Sequence, residues 1–400
     1  MTSIIEKPEL RFHEFSCDWA ERKGHELFDN SRVKGEDGLP IYSVTLNNGL
    51  VPRNSLERRM ANDAASNDNL RAQPGDLVYN MMRMWQGAVG LADTECMVSP
   101  AYVVLSGKQG IDTRFFDFNL QRARPIYDLW AYSHGLTSDR LRLYFKDFGQ
   151  IKFSVPTEKE EQQKIAVFLS AVDDKLNQLR RKRKLLESWK RGLIQKIFSQ
   201  ELRLTQDDGK AFPDWDVQLL GNYFSLIGGL TYNPDNVKPD GLLVLRSSNV
   251  QEMKITLEDN VYVDLEVNPD SLSRKGDILL CVRNGSKRLI GKSALVPENF
   301  PKATHGAFMS LLRGDNNDFI FQVLQSEMFY REIHKNLGAT INSINGRELK
   351  NFKFFLPTAP LEQQKIAAFL SSVDKKIEAI THKITQTESF KKGLLQKMFV

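Results

Sequence analysis

The sequence predicts an α+β protein built twice. Two similar domains of mixed α/β type are separated by two long helices that pair as an antiparallel coiled coil about a pseudo-two-fold. Three observations predict this. First, the tract EQQKIAVFLSAVDDKL at Glu161 returns as EQQKIAAFLSSVDKKI at Glu362. Aligned without a gap, residues 161–198 and 362–399 share 21 identities in 38 positions. Second, both copies carry apolar residues at coiled-coil spacing. Third, the segments between them match in length and repeat the same order of strand-like runs. A period near 200 residues is too long for a solenoid and marks a duplicated domain-plus-helix unit. The boundaries read 1–157 for the first domain, 158–200 for the first helix, 201–358 for the second domain and 359–400 for the second helix.

In both domains short apolar runs are broken by Gly, Pro, Asn and Asp, the pattern of strands and turns. QPGDLVYNMM at Gln73 answers RKGDILLCVR at Arg274, and VSPAYVVL at Val98 answers THGAFMSL at Thr304. HGLTSDRLRLYFKDFGQIKFSVPT at His134 answers LGATINSINGRELKNFKFFLPT at Leu337. The frame is kept while the loops differ. Two binding modules with different targets would show that pattern, and so would drift in surface loops.

The first repeated segment holds no proline and one glycine between Glu158 and Gln200. Its apolar seam runs Ile165, Leu169, Val172, Leu176, Leu179, Leu186, Leu193 and Ile197, with Arg183 and Lys190 as polar gaps. The second seam runs Ile366, Leu370, Val373, Ile377, Ile380, Ile384, Leu394 and Met398, with Thr387 and Lys391 as gaps. A long helix with so narrow a stripe needs a partner to cover it, and the other copy is at hand. The bland alternative is two amphipathic helices on separate cores. A proline in VPT and in LPT marks each start. The first seam is roughly 50 Å long at about 1.5 Å per residue. The run RRKRK at Arg180 reads as a solvated helix face before it reads as a phosphate patch, because the second copy has THKIT there.

A chain of 400 residues that is 41% hydrophobic and 26% charged has the composition of a globular protein with two or three cores. Residues 1–11 show no apolar signal core, and no apolar run is long enough to span a membrane. Cys17, Cys96 and Cys281 are scattered and fit no zinc ribbon, so the expected location is the cytoplasm. A net charge of +5 permits a polyanionic partner without requiring one.

Catalytic motifs fail on inspection. GSKRLIGKS at Gly285 has one residue too many between its glycine and GK for a P-loop, and the following ALV continues as strand. No two prolines are adjacent, which removes the signature of an amino-methyltransferase. Asp240 with Glu252 and Lys254 fits a loose PD…ExK nuclease pattern, but a loop and a strand explain it as well. The six histidines show no metal-ligand spacing, and no metal site is expected.

The order of variable domain, LPT or VPT, EQQKIA-FL and long helix, followed by the same again, resembles the DNA specificity subunit of Type I restriction-modification enzymes. The resemblance covers the whole chain, and the paired EQQKIA-FL helices carry it. It implies two target-recognition domains on a coiled coil, with no catalysis of their own, that read a bipartite site in double-stranded DNA. It implies partners as well: two methyltransferase subunits and, through them, a restriction-translocase subunit. S-adenosylmethionine, ATP and Mg are then expected on those partners, with no cofactor in this chain. The alternative is a two-lobed coiled-coil adaptor without DNA binding.

Bases are read by Arg, Lys, Asn and Gln, and phosphates are held by basic and small polar groups. In the first domain these types gather as Arg83 and Gln86 around Trp85, and as Ser138, Arg140 and Arg142. In the second they gather as Arg246, Ser248 and Asn249, then Arg283, Asn284, Lys287 and Arg288, then Asn342, Asn345 and Arg347. Each reads equally as an ordinary surface or turn residue, and Trp85 as core.

Overall fold

The computed structural model describes residues 7–56, 65–137, 139–337 and 342–400. The chain divides into two compact units. One comprises Met1–Arg180 with His382–Val400, the other Arg181–Thr381.

The first unit is built on a four-stranded antiparallel sheet in the order Phe28–Ser31, Tyr102–Gly107, Leu77–Asn80, Val89–Leu91. The central strands are apolar on both faces because helices cover one and small ribbons the other. Leu77, Tyr79, Val103 and Leu105 face a core with Phe115 and Phe116 of helix Thr113–Asn119. Val78 and Val104 face a second core with Leu70 and Cys96. A separate ribbon pairs Trp19–Lys23 with Lys152–Pro156 and delivers the chain to the first long helix.

The second unit repeats this plan. Its sheet runs Ser225–Gly228, Met309–Arg313, Ile278–Cys281, Ser293–Leu295, again antiparallel throughout. The entry ribbon pairs Asp216–Leu219 with Lys353–Leu356. A second four-stranded sheet includes Leu242–Leu245 running parallel to Ala303–His305.

The repeated segments are helices at Lys159–Phe198 and Pro360–Lys397. In the first unit Ile165, Leu169 and Val172 share a core with Leu394, Met398 and Phe399. Asp173 pairs with Lys391 there and Arg180 with Glu388, so one number rises as the other falls and the segments run antiparallel. In the second unit Leu193, Ile194 and Ile197 share a core with Ile366, Leu370 and Val373. Leu176, Leu179, Ile380 and Ile384 are also buried, while Leu186 and Ile377 are half-buried. Burying each such side chain contributes about 1.5–3 kcal/mol, so packing of the seam holds these helices rather than their intrinsic propensity.

The repeated EQQ has a structural job at each helix start. Glu161 is buried and accepts hydrogen bonds from the Trp19 indole N–H at 3.3 Å and the Arg11 guanidinium at 2.7 Å. Glu362 does the same with Trp215 at 3.0 Å and Arg203 at 3.2 Å. The next residue is used alike: Gln162 donates to the Pro156 carbonyl and Gln363 to that of Pro357. A carboxylate in the first turn also suits the positive end of the helix dipole.

Candidate functional site

In each unit a loop that follows a central strand is stapled to the tract preceding the last strand. The Leu143 amide donates to the Met81 carbonyl at 2.9 Å, and the Ile344 amide donates to that of Val282 at 2.9 Å. Both partners differ by 201 between the copies, so the staple belongs to the shared frame. It brings together candidate residues that lie some 60 positions apart in the chain.

In the first unit the turn Met84–Gln86 closes on Gly87, whose φ of +86° favours glycine. Arg83 and Gln86 are exposed at this turn. Trp85 is half-buried, and its indole N–H donates to the Met82 carbonyl at 3.0 Å. Across the staple, His134 and Arg142 exchange backbone hydrogen bonds, which leaves the Arg140 and Arg142 side chains exposed. Ser138 lies outside the described residues. Helix Ala123–Ala131 packs on the Met84–Gln86 turn and carries Tyr127 and Trp130, exposed with ring centroids 5.6 Å apart. The sequence reading passed over these two aromatics. Their signal was a pair at i and i+3 on the helix face opposite buried Pro125 and Leu129.

In the second unit three tracts converge. The Asn284 side chain donates to Ser247 Oγ at 3.0 Å, and its backbone amide donates to the Asn342 carbonyl at 3.2 Å. The Asn342 side chain donates to the Gly285 carbonyl at 2.9 Å. Arg283, Lys287, Arg288 and Arg347 are exposed around this knot. Arg283 lies over the exposed ring of Phe308 at 5.7 Å. Among the described residues the side chains of Lys287, Arg288 and Arg347 make no hydrogen bond or ion pair.

The asparagines here are largely committed to the scaffold. Asn249 is fully buried: its Oδ1 accepts from the Arg246 amide at 2.9 Å and its Nδ2 donates to the carbonyls of Thr256 and Asp259. Ser248 Oγ is buried beside it with no partner among the described residues. Arg246 is half-buried and paired with Asp259 at 2.8 Å. Asn345 caps helix Gly346–Asn351, accepting from the Glu348 amide at 2.8 Å. A capping box S/T/D/N-x-x-E was legible at Asn345-Gly-Arg-Glu348. The burial of Asn249 was not.

The near-miss catalytic tracts lie on strands and turns. Ser293–Leu295 after Gly285–Lys292 is a strand, so no helix N-terminus faces a phosphate. Glu252 and Met253 form a hairpin turn at positive φ, and Lys254 pairs with Glu378. Among the described residues no group of three His, Cys, Asp or Glu is placed to hold a metal ion. None of the described helices is long and apolar enough to cross a membrane.

A frame repeated twice, with unlike loops gathered at like positions, is a duplicated scaffold. The chain belongs to the Type I restriction modification DNA specificity domain family, whose model matches residues 18–187 and 214–389. It is 28% identical over 266 residues to the Type I restriction enzyme MjaVIII specificity subunit of Methanocaldococcus jannaschii, covering 62% of this chain and 61% of that one. It is 29% identical over 170 residues to the Type I restriction enzyme EcoKI specificity subunit of Escherichia coli, covering 40% and 36%. The matched stretches thus span less than two thirds of either relative. In fold it is similar to the crystal structure of a Type-I restriction-modification system S subunit from M. genitalium, at TM-score 0.62 and 16% identity over 99% of both chains. It is also similar to a chain from a study of complex assembly and conformational transition of the type I R-M system, at TM-score 0.55 and 16% identity over 97% of this chain and 99% of that one.

Proposed function

We propose that this chain is the non-catalytic recognition subunit of a Type I restriction-modification complex. Each unit reads one half of a bipartite site in double-stranded DNA. The paired helices set the spacer between the halves and dock two methyltransferase subunits, through which a restriction-translocase subunit joins. S-adenosylmethionine, ATP and Mg belong to those partners, and the complex works in the cytoplasm. The observation that supports this most, beyond the family, is the equivalent staple in each unit. It presents Arg83, Gln86, Arg140 and Arg142 in one copy and Arg283, Lys287, Arg288 and Arg347 in the other. Like frames with unlike basic loops suit two readers of different half-sites.

The test replaces residues 201–356 with the corresponding segment of another family member and maps the methylated motif of the reconstituted complex. One half of the motif is expected to change while the other stays. If both halves change together, the units do not read independently. The adaptor alternative predicts no affinity for duplex DNA that falls steeply with salt, as counterion release requires of a phosphate-binding surface.

A further inference from the structure

Phe308 stands in the turn between strands Ala303–His305 and Met309–Arg313, and its ring is 55% exposed. Over that ring lies the Arg283 guanidinium, 5.7 Å from the centroid. Five other rings among the described residues carry a cation, and each of those rings is buried or half-buried. Those five pairs belong to the packing of the fold. In this pair both members face water, and Arg283 has no acidic partner among the described residues.

The backbone under the pair is fixed. The Phe308 carbonyl accepts from the amides of Val282 at 3.0 Å and Arg283 at 3.1 Å, and the Met309 amide closes the turn on the Gly306 carbonyl at 2.8 Å. The Cys281 thiol donates to the Arg283 carbonyl at 3.4 Å. A guanidinium stacked on a ring and rooted in such a backbone has its plane set before any ligand arrives, so it loses less entropy on binding. The first unit lacks the device. Its strand register pairs Asn80 with Tyr102 as the second pairs Cys281 with Met309, which puts Met82 and Ala101 where Arg283 and Phe308 stand.

We propose that Arg283 and Phe308 form one reading unit in the major groove: Arg283 takes the O6 and N7 acceptors of a guanine, and Phe308 covers the C5-methyl of a thymine within two base pairs of it. This rests on the reading that the second unit binds duplex DNA. A phosphate makes no use of a fixed guanidinium plane, whereas the paired acceptors on a guanine edge do. An exposed apolar ring gains nothing against a phosphate but is buried by a thymine methyl. The 5.7 Å between the two groups spans one to two steps of a duplex that rises about 3.4 Å per base pair. Lys287 and Arg288, which lie over no ring, are left to the phosphates beside it.

The experiment uses the full chain co-expressed with the methyltransferase subunit of its own system. The methylated motif is mapped, and duplexes carrying it are titrated with the unaltered complex and with Arg283→Ala and Phe308→Ala. The half that changes when residues 201–356 are replaced is expected to contain a guanine with a thymine within two base pairs. Arg283→Ala should lose roughly 5- to 140-fold of the preference for that guanine and keep the preferences at the other half. A deazaguanine without N7 at that position should weaken the unaltered complex and leave Arg283→Ala unmoved. Uracil in place of the thymine should weaken the unaltered complex about fourfold and leave Phe308→Ala unmoved. The Tm of the free chain should hold in both variants, since both side chains are exposed. If Arg283→Ala loses affinity evenly across sequences, or the half-site holds no guanine, this inference is overturned while DNA recognition stands. If the unaltered complex binds no duplex, the recognition reading falls and this inference with it.

Discussion

Lys190 and Asp374 meet at 2.7 Å in one unit, and Lys391 and Asp173, their equivalents, meet at 2.7 Å in the other. The lysines that looked like gaps in the seam are its polar pins. Lys190 is almost fully buried and also donates to the Gln325 side chain, while Lys391 lies over the Phe118 ring at 5.3 Å. Burial lowers the Lys190 pKa even though the carboxylate raises it. Each pin therefore joins both helices to a domain.

Removing one partner leaves a charge without its counterion. Lys190→Met is expected to destabilise the second unit by about 2–4 kcal/mol. The double change Lys190→Met with Asp374→Leu should recover most of that, because an apolar pair of similar volume avoids desolvation altogether. Urea melts of the four corners of the cycle decide it. An additive double variant would mean that the two residues do not act on each other.

The buried glutamates make a matched prediction. Glu161→Ala strands Trp19 and Arg11, and Glu362→Ala strands Trp215 and Arg203. Each should cost about 2–4 kcal/mol through one lost charge-assisted network. Trp19 or Trp215 fluorescence should report the loss in its own unit. Equal fluorescence changes in both units from either single variant would contradict a local role.

His305 sets an acid limit on the second unit. It is buried, Nε2–H donates to the Ile227 carbonyl at 3.1 Å, and Nδ1 has no partner among the described residues. Burial lowers its pKa from 6.5 to about 4, opposed by the Ile227 bond and Asp277 and aided by Arg313. The unfolded chain then binds more protons between those values, so stability is fully present above about pH 6.5 and falls as pH drops toward about 4. The loss reaches up to about 3 kcal/mol. Amide exchange across Ala303–His305 should accelerate over that window. In His305→Leu the acceleration should disappear, and its persistence would assign the acid sensitivity to another group.

Asn249 and the exposed basic residues should separate stability from DNA affinity. Asn249→Ala removes four side-chain hydrogen bonds inside the fold and should lower stability by about 1–3 kcal/mol. Lys287→Ala with Arg288→Ala should leave stability within about 0.5 kcal/mol. That pair should weaken duplex binding across sequences and reduce the salt slope by about 1 per lost phosphate contact. An unchanged slope would remove these two side chains from the interface.

The ruler reading predicts a spacer effect. Residues 178–184 and 380–386 lie between the ion-paired positions on each helix. Deleting both heptads keeps the seam phase and shortens the helices by about 10 Å, roughly three base pairs of duplex. Three base pairs also turn the second half-site by about 100°. Selection on a library of the two half-sites with varied spacing should no longer return the native spacing. Its return at full affinity would show that the helices do not set the distance.

The duplication, the two helices, their seams and the order of strands were legible because each leaves a local trace. Period, breaker residues and repeated words are all written within a few turns of chain. The partners of the repeated words were not legible. Glu161 meets Trp19 across 142 positions, and Lys190 meets Asp374 across 184. No periodicity encodes such a contact, so EQQ read as helix and Lys190 as a flaw. The loops behaved the same way. Their residue types marked Asn249 and Arg283 alike as candidates, since both types hydrogen-bond well. Only the tertiary structure divided them, burying Asn249 under the carbonyls of Thr256 and Asp259 and leaving Arg283 exposed. The physical reason is that a side chain's availability depends on which backbone groups need satisfying around it, and those groups come from elsewhere in the chain.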